Sequence, residues 1–397
     1  MARAFFAWEL GGDLGHARRT LQIARELRDL GHETAFAFLD LASLGVAGNE
    51  SLEWFQAPVV PPARTPSPSP LNPPEILLNR GWGDALGLAG ALRGWLSLYS
   101  LWKPDLVVCD YAPGAQLAAR AAGLPRIAIG SGFSSPVVAD PMPAMRTWIA
   151  TDESALRRID ATLLASVRQA FERVTGTAAP PSHASEVFSA DATLLCSWPE
   201  IDPFGPREGA EYFGPQDDPQ LGAAESWRTG SRPRVFAYLK PRDARFVAIL
   251  DALRAVAAEA IVAVPGLSKE HSQSLSSGSV RIHGGPIALG GLLADADLCV
   301  CHSGPGTVAR ALEAGIPLAL LPQQLEQFLV GRRVVMAGAG VMVAPEERVP
   351  DLKGWLAQAL TRQDLRRAAA SSPIRQRART SVAGRVAQSL EGRPWRA

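Results

Sequence analysis

Cysteine is scarce here: four residues in 397, Cys109, Cys196, Cys299 and Cys301, all in apolar, strand-like settings. That excludes a disulfide framework. Cys299-x-Cys301 has no second pair at ligand spacing and lies inside Leu298-Cys-Val-Cys, so it reads as buried strand instead of a metal or redox site. An excess of one charge is also lacking. With 40 Lys+Arg against 39 Asp+Glu the formal net charge is +1, which leaves no electrostatic case for nucleic acid or for an anionic membrane surface. No window approaches the roughly 18 uncharged apolar residues of a membrane span. The apolar opening, Met1 to Leu10, is too short for a secretory leader, and no small-residue cleavage site follows. These absences predict a reduced, cytoplasmic protein.

What is present predicts a two-domain α/β chain. Hydrophobic residues make up 47% and charged residues 20%, and the length exceeds one ordinary core. Ala4–Leu10 reads as a strand, and Ala17–Leu30 carries Leu21, Ala24, Leu27 and Leu30 at helical spacing before Gly31. Thr34–Leu39 is the next strand, which completes a βαβ unit. Pro58–Pro74 is too proline-rich for regular structure and reads as an acceptor-side loop, with a disordered loop as the alternative. Ile76–Tyr99 reads as one Leu- and Trp-rich helix packed on the sheet. After it come the strand Leu106–Cys109, the helix Ala115–Ala122, the strand Arg126–Ile129 and the long helix Thr151–Thr175. The pattern stops near Tyr212-Phe-Gly-Pro215, and the polar stretch Gln216–Pro233 reads as a linker. A second α/β series starts at Val235, and Arg-rich Leu365–Leu390 reads as a helix with a solvated face. The expected domains are 1–215, a linker 216–233, a second domain 234–375 and a C-terminal helical segment 376–397 that packs back on the first domain.

The sharpest chemical signal is the strand-to-helix turn Cys301–Thr307. Backbone N–H groups and the positive end of a helix dipole converge there, which suits a diphosphate. Gly304 and Gly306 permit close approach, Ser303 and Thr307 add hydroxyls, and His302 adds a ring N–H. Downstream, Glu326 and Gln327 follow a strand and its proline on a predicted loop, suited to sugar hydroxyls. In the first domain the turn Gly11-Gly12-Asp13-Leu14-Gly15-His16 sits at the tip of the first strand, with Gly12 and Gly15 as loop glycines. It is no Gly-x-Gly-x-x-Gly fingerprint, and no acid marks the second strand end, so a nicotinamide site is disfavoured. His16 at a helix N-terminus, with Asp110 at another strand end, is a candidate general base and its carboxylate. A capping histidine and a turn aspartate are the alternative.

These residues resemble the UDP-glycosyltransferase superfamily of GT-B fold, especially its bacterial natural-product members, and more distantly the N-acetylglucosaminyltransferases of peptidoglycan synthesis. The match covers nearly the whole chain and is strongest over Leu292–Val343. Pro286, His302, Gly304, Gly315, Pro317, Pro322, Glu326 and Gln327 fall on the donor-binding box of plant members. Gly15-His16, Gly31-His32, Lys103–Asp110, Gly123-Leu-Pro125 and Phe213-Gly214-Pro215 match further family positions. The resemblance implies two Rossmann-like domains facing each other across a cleft and an inverting transfer with His16 as base, Asp110 balancing its charge. It implies that His302 and the Gly306 and Thr307 amides hold the donor diphosphate, and that Glu326 and Gln327 hold the sugar. It implies no metal and no cofactor, the nucleotide sugar being a co-substrate.

Three departures bear on the nucleotide. Gly284 stands where plant members stack a tryptophan, Arg310 where they carry a ribose-binding glutamate, and Lys240-Pro241 where they carry Gly-Ser. Lys240, Gly285, Pro286 and Arg310 are candidate nucleotide contacts. The expected donor is a UDP-sugar, with a dTDP-sugar as the alternative. The acceptor is expected to be an apolar small molecule. A catalytically silent sugar-nucleotide-binding partner and a nucleotide-sugar 2-epimerase are the rival readings.

Overall fold

The computed structural model describes residues 1–12, 14–42, 52–175, 179–216, 222–228, 230, 232–345, 347 and 351–392. Asp13, part of the 216–233 stretch and the last five residues lie outside this set. The chain forms two compact units. One comprises Met1–Cys196, Glu208–Gln216 and the chain from Thr380 onward; the other comprises Ser197–Arg207 and Asp217–Arg379.

The first unit runs β1 (Arg3–Trp8), α1 (Leu14–Asp29), β2 (Glu33–Phe38), β3 (Glu53–Gln56), α2 (Pro73–Leu77), α3 (Ala85–Trp102), β4 (Leu106–Asp110), α4 (Pro113–Ala121), β5 (Arg126–Gly130), α5 (Glu153–Thr175), β6 (Ala192–Leu195) and β7 (Glu211–Tyr212). Its strands form a seven-stranded sheet ordered β3-β2-β1-β4-β5-β6-β7. Each adjacent pair is parallel. Alternation along β1 explains its run of apolar residues. Phe5 and Ala7 enter one core with Leu92, Trp95 and Leu117, while Phe6 and Trp8 enter the other with Leu21, Leu27 and Val386. Both faces are covered, so no polar alternation is needed. Strand order reverses between β1 and β4, where Trp8 pairs with Asp110. In open α/β sheets that reversal opens a crevice at the strands' carboxyl ends.

Two expectations for this unit are corrected. The proline-rich stretch ends inside a helix, because Pro73 and Pro74 take the first helical positions, where no amide proton is required, and Asn72 caps them. The stretch is also tied down: Asn79 bonds Ser67 in both directions, and buried Asn72 donates to Asp160. The single helix expected over Ile76–Tyr99 is broken. Residues Leu78–Trp82 form a kinked turn in which Gly81 has φ +86°. A Cβ on Gly81 would lie 1.9 Å from the Pro61 carbonyl oxygen, so glycine lets the proline-rich stretch pack there.

The second unit runs β8 (Arg234–Tyr238), α6 (Phe246–Val256), β9 (Glu259–Ala263), α7 (Lys269–Leu275), β10 (Val280–His283), α8 (Gly290–Ala294), β11 (Leu298–Cys301), α9 (Pro305–Ala314), β12 (Leu318–Leu320), α10 (Leu325–Met336), β13 (Gly340–Met342), α11 (Leu352–Thr361) and α12 (Gln363–Ala370). The sheet order is β10-β9-β8-β11-β12-β13, again parallel throughout. Cys299 and Cys301 are buried in β11.

The helix expected over Leu365–Leu390 is also corrected. α12 stops at Ala370, a short turn begins at Pro373, and α13 (Val382–Leu390) is separate, packed with α1 in the first unit. Several of the arginines there are structural. Arg377 pairs with Glu200 at 2.6 Å, Arg379 pairs with Glu313, and Arg385 pairs with Glu211 at 3.2 Å.

Candidate functional site

In the first unit α1 begins at Leu14, which puts His16 in its first turn, and β4 ends at Asp110. His16 Nδ1 lies 2.9 Å from Asp110 Oδ1, and the Asp110 carboxylate is fully buried. The ring stacks on Trp8, centroids 5.2 Å apart. Sequence reading missed the third member. Arg19, one turn after His16 on the same helical face, donates to Asp110 through Nε at 3.0 Å and Nη2 at 2.6 Å. Its i+3 spacing from His16 was the available signal.

Burial pushes the Asp110 carboxyl up, yet Arg19 and then His16 outweigh it and hold it below the usual carboxylate range. Asp110 is therefore an anion shared by two donors. Arg19 Nη2 also lies 3.3 Å from His16 Nδ1, but Nδ1 cannot accept from it while donating to Asp110. The shorter contact, to an anionic acceptor, fixes the proton on Nδ1 and leaves the Nε2 lone pair unbonded. A Cβ on Gly11 would lie 2.7 Å from Nε2, so the glycine keeps that nitrogen open. Gly12 and Gly15 flank it with nothing within 4 Å of where their Cβ atoms would be.

The second unit repeats the arrangement. Asp110 is followed by Tyr111 at φ +50°, and His302 by Ser303 at φ +60°. Each is a strand end that enters a helix through a left-handed non-glycine residue, a conformation that costs about 1–2 kcal/mol. α9 has Gly304 as its N-cap with no side-chain cap, so the Gly306 and Thr307 amides at its start are met by no capping side chain. Ser303 Oγ is buried without a hydrogen-bond partner among the described residues.

His302 is placed differently from its expected role as a free N–H donor. Its Nδ1 donates to the Leu321 carbonyl at 2.8 Å, so its Nε2 accepts from the Lys240 backbone N–H at 3.0 Å. Burial lowers its basicity, opposed by the Leu321 bond and Asp243 and reinforced by Lys240 and Arg245. Asp243 stands 3.5 Å from Nδ1 and is gripped by Arg245 at 3.0 Å through Nε and through Nη2. Neither residue was singled out in the sequence, although both lie in the charged cluster just after β8.

Glu326 and Gln327 lie in the first turn of α10 and not on the expected loop. Gln327 is buried and accepts from the Gln323 N–H at 2.8 Å. Arg310 is buried within α9, 3.7 Å from Glu313. Gly285 and Pro286 are exposed beyond β10, and the Pro286 carbonyl accepts from Ala223. At Gly284 a Cβ would lie 1.9 Å from the Leu267 carbonyl oxygen, so no side chain of any size fits there.

Residues 247–391 match the Erythromycin biosynthesis protein CIII-like C-terminal domain family. A PGL/p-HBAD biosynthesis rhamnosyltransferase of Mycobacterium bovis is 28% identical over 67% of this chain, which spans only 62% of that relative. A zeaxanthin glucosyltransferase of Pseudescherichia vulneris is 26% identical over 87% of both chains. Among solved structures, spinosyn rhamnosyltransferase SpnG superposes with a TM-score of 0.65 at 20% identity, covering 99% of this chain and 100% of its own. Glycosyltransferase VinC in complex with dTDP gives 0.69 at 19% identity, covering 99% and 100%. No helix among the described residues is long and apolar enough to cross a membrane. Residues 247–391 thus resemble the EryCIII-like C-terminal domain family, and the chain has the two-domain GT-B fold of the bacterial natural-product glycosyltransferases.

Proposed function

We propose that this protein transfers a sugar from a nucleoside diphosphate donor to a hydroxyl of an apolar small molecule, with inversion at the anomeric carbon. The observation that carries the reading is the His16–Asp110 contact of 2.9 Å, with the proton on Nδ1 and Nε2 left open. In the proposed step Nε2 takes the acceptor's proton as its oxygen attacks the anomeric carbon. The bond to the diphosphate breaks from the opposite face, and Asp110 stabilises the imidazolium.

The donor belongs to the second unit in this reading. The open amides of Gly306 and Thr307 and the dipole of α9 meet the leaving diphosphate, so no metal is required. His302 holds the Lys240 backbone against Leu321 and thereby positions Lys240 near that anion. Glu326, in the first turn of α10, is assigned to the sugar hydroxyls. Gln327 is assigned there too, by exchanging its bond to Gln323. The backbone crowding at Gly284 removes an aromatic platform for the base, which favours recognition through other contacts and leaves UDP and dTDP as the donors to test. The dTDP in the VinC structure and the rhamnosyl- and glucosyltransferase names among the relatives support the class of donor.

The test is a thermal-shift screen of the full chain against UDP, dTDP, GDP and their sugar conjugates, followed by turnover with a panel of phenols and alcohols. Binding to the native state raises the melting temperature by mass action. The reading expects a shift with one nucleotide family and loss of turnover, but not of that shift, in His16→Ala. A shift with no turnover under any condition would favour a silent binding partner instead.

A further inference from the structure

Glu9, immediately after β1, takes no part in the proposed reaction. It is almost wholly buried, and its Oε2 accepts from the Gly114 N–H at 2.7 Å and the Ala115 N–H at 3.3 Å, at the start of α4. Its Oε1 has no partner among the described residues. Glu9 also lines a cavity of about 140 Å³ whose other walls include Leu10, Leu39, Val60 and Trp82. This cavity lies at the carboxyl ends of β1 and β2, within the first unit. The proline-rich stretch forms one side of it, fixed in place where the Pro61 carbonyl packs on Gly81. Gly11 lines the same cavity and stands beside the His16 ring, where a Cβ on it would come within 2.7 Å of Nε2, so a hydroxyl at Nε2 would carry its substituent toward the cavity.

We propose that this cavity receives the part of the acceptor next to its reacting hydroxyl, and that the group it accepts is an uncharged ring no larger than six members bearing a carbonyl or ether oxygen for Glu9. The assignment rests on the transferase reading for its role, but on cavity geometry for its chemistry. An apolar cavity of about 150 Å³ is known to hold a single benzene ring, so a fused bicyclic group exceeds the space. The walls are apolar apart from Glu9, the backbone at Gly11 and the exposed rim residue Arg80.

The carboxyl is suited to donate. Burial raises its pKa to about 8 against the lowering effect of the Gly114 and Ala115 amides, so near neutral pH it carries a proton. Because Oε2 accepts two N–H groups, that proton belongs on Oε1. The titratable groups around it are His16 across Gly11, Arg80 at the rim, and Tyr99 and Cys109 beneath. Burial pushes both of the last two far up, so they remain neutral. Loss of the Glu9 proton removes the donor and places an anion at the cavity wall.

The experiment titrates cyclohexanone, a ring that does not itself ionise, into the full chain by ligand-observed NMR, with 2-adamantanone as the oversized control. Cyclohexanone is expected to bind at about pH 6.5 and to weaken about tenfold or more by about pH 9.5, while 2-adamantanone does not bind. Glu9→Gln, whose amide keeps a donor at all pH values, is expected to bind equally at both. Val60→Trp, checked for folding by circular dichroism, is expected to abolish binding by filling the space. The proposal is overturned if cyclohexanone does not bind at the lower pH, if 2-adamantanone binds equally well, or if folded Val60→Trp binds unchanged. A parallel dTDP and UDP titration separates the outcomes. Nucleotide binding without ring binding defeats this inference alone, whereas ring binding without nucleotide binding defeats the transferase reading and leaves the cavity standing.

Discussion

Arg19 grips the same carboxylate that holds His16: its Nη2 lies 2.6 Å and 2.8 Å from the two oxygens of Asp110, while His16 Nδ1 lies 2.9 Å from one of them. The Asp110 charge is thus already balanced in the resting protein. The carboxylate is held by two side chains from one helical face, which fixes it against the His16 ring. The second unit repeats the motif with His302, Asp243 and Arg245, but there both ring nitrogens are engaged. One set leaves a ring nitrogen open, and the other fixes a backbone.

Arg19→Met leaves Asp110 buried with only His16 beside it. A loss on the order of 3 kcal/mol is expected, measured by urea unfolding. In the wild type the lowered Asp110 carboxyl contributes stability above its unfolded pKa, lost as pH falls through its lower folded value.

Asp110→Asn keeps the shape of the site but lets the amide fix the wrong tautomer of His16. Under the proposed mechanism kcat falls about a hundredfold or more, while donor affinity, measured by calorimetry, stays unchanged. A parallel loss of donor affinity would show that the first unit was disturbed more widely.

His302 is expected to titrate below the usual histidine range, because burial and the cations of Lys240 and Arg245 disfavour its charged form. Its ring carbon and nitrogen NMR shifts should report the Nδ1–H neutral form down through the pH at which an ordinary histidine charges. A ring found protonated near neutrality would contradict the hydrogen bond from the Lys240 amide.

Gly284→Ala places a methyl group against the Leu267 carbonyl oxygen, at 1.9 Å before any relaxation. A destabilisation of about 1–3 kcal/mol is expected, read from chemical denaturation. An unchanged midpoint would mean that the turn after β10 relaxes freely.

Glu9→Gln tests a cost carried by the fold. The Glu9 pKa is raised to about 8, so the folded state holds its proton between the unfolded value and that pH. Stability is therefore fully present below the unfolded pKa and is lost as pH rises toward 8 and through it. The glutamine variant should match the wild type near pH 4.5 and exceed it near pH 8, by a margin on the order of 4 kcal/mol. Differential scanning calorimetry across that range checks the sign.

Much of the fold was legible because both sheets are parallel and covered on both faces. The apolar runs of β1, β4, β8 and β11, each followed by a turn and a helix, carry the βαβ signal without tertiary information. The short strands β3, β7 and β13 escaped, since two to four residues hold no period of their own and form only by pairing with a neighbour. The break at Gly81 escaped for a related reason. Nothing local demands it, and the carbonyl of Pro61 decides it from twenty residues earlier.

The two α/β series, the glycine-containing turn before α9, and the places of His16 at a helix start and Asp110 at a strand end are readable from the residues alone, because strand ends and helix starts follow from local periodicity and turn chemistry. The partners of those residues come from the fold. It put Arg19 on Asp110, engaged both nitrogens of His302, moved Gln327 into a buried helical turn, and set Glu9 against an apolar cavity. A side chain's charge and its free hydrogen-bonding edge depend on which distant groups share its space, and that is settled only when the strands pair and the helices close over them.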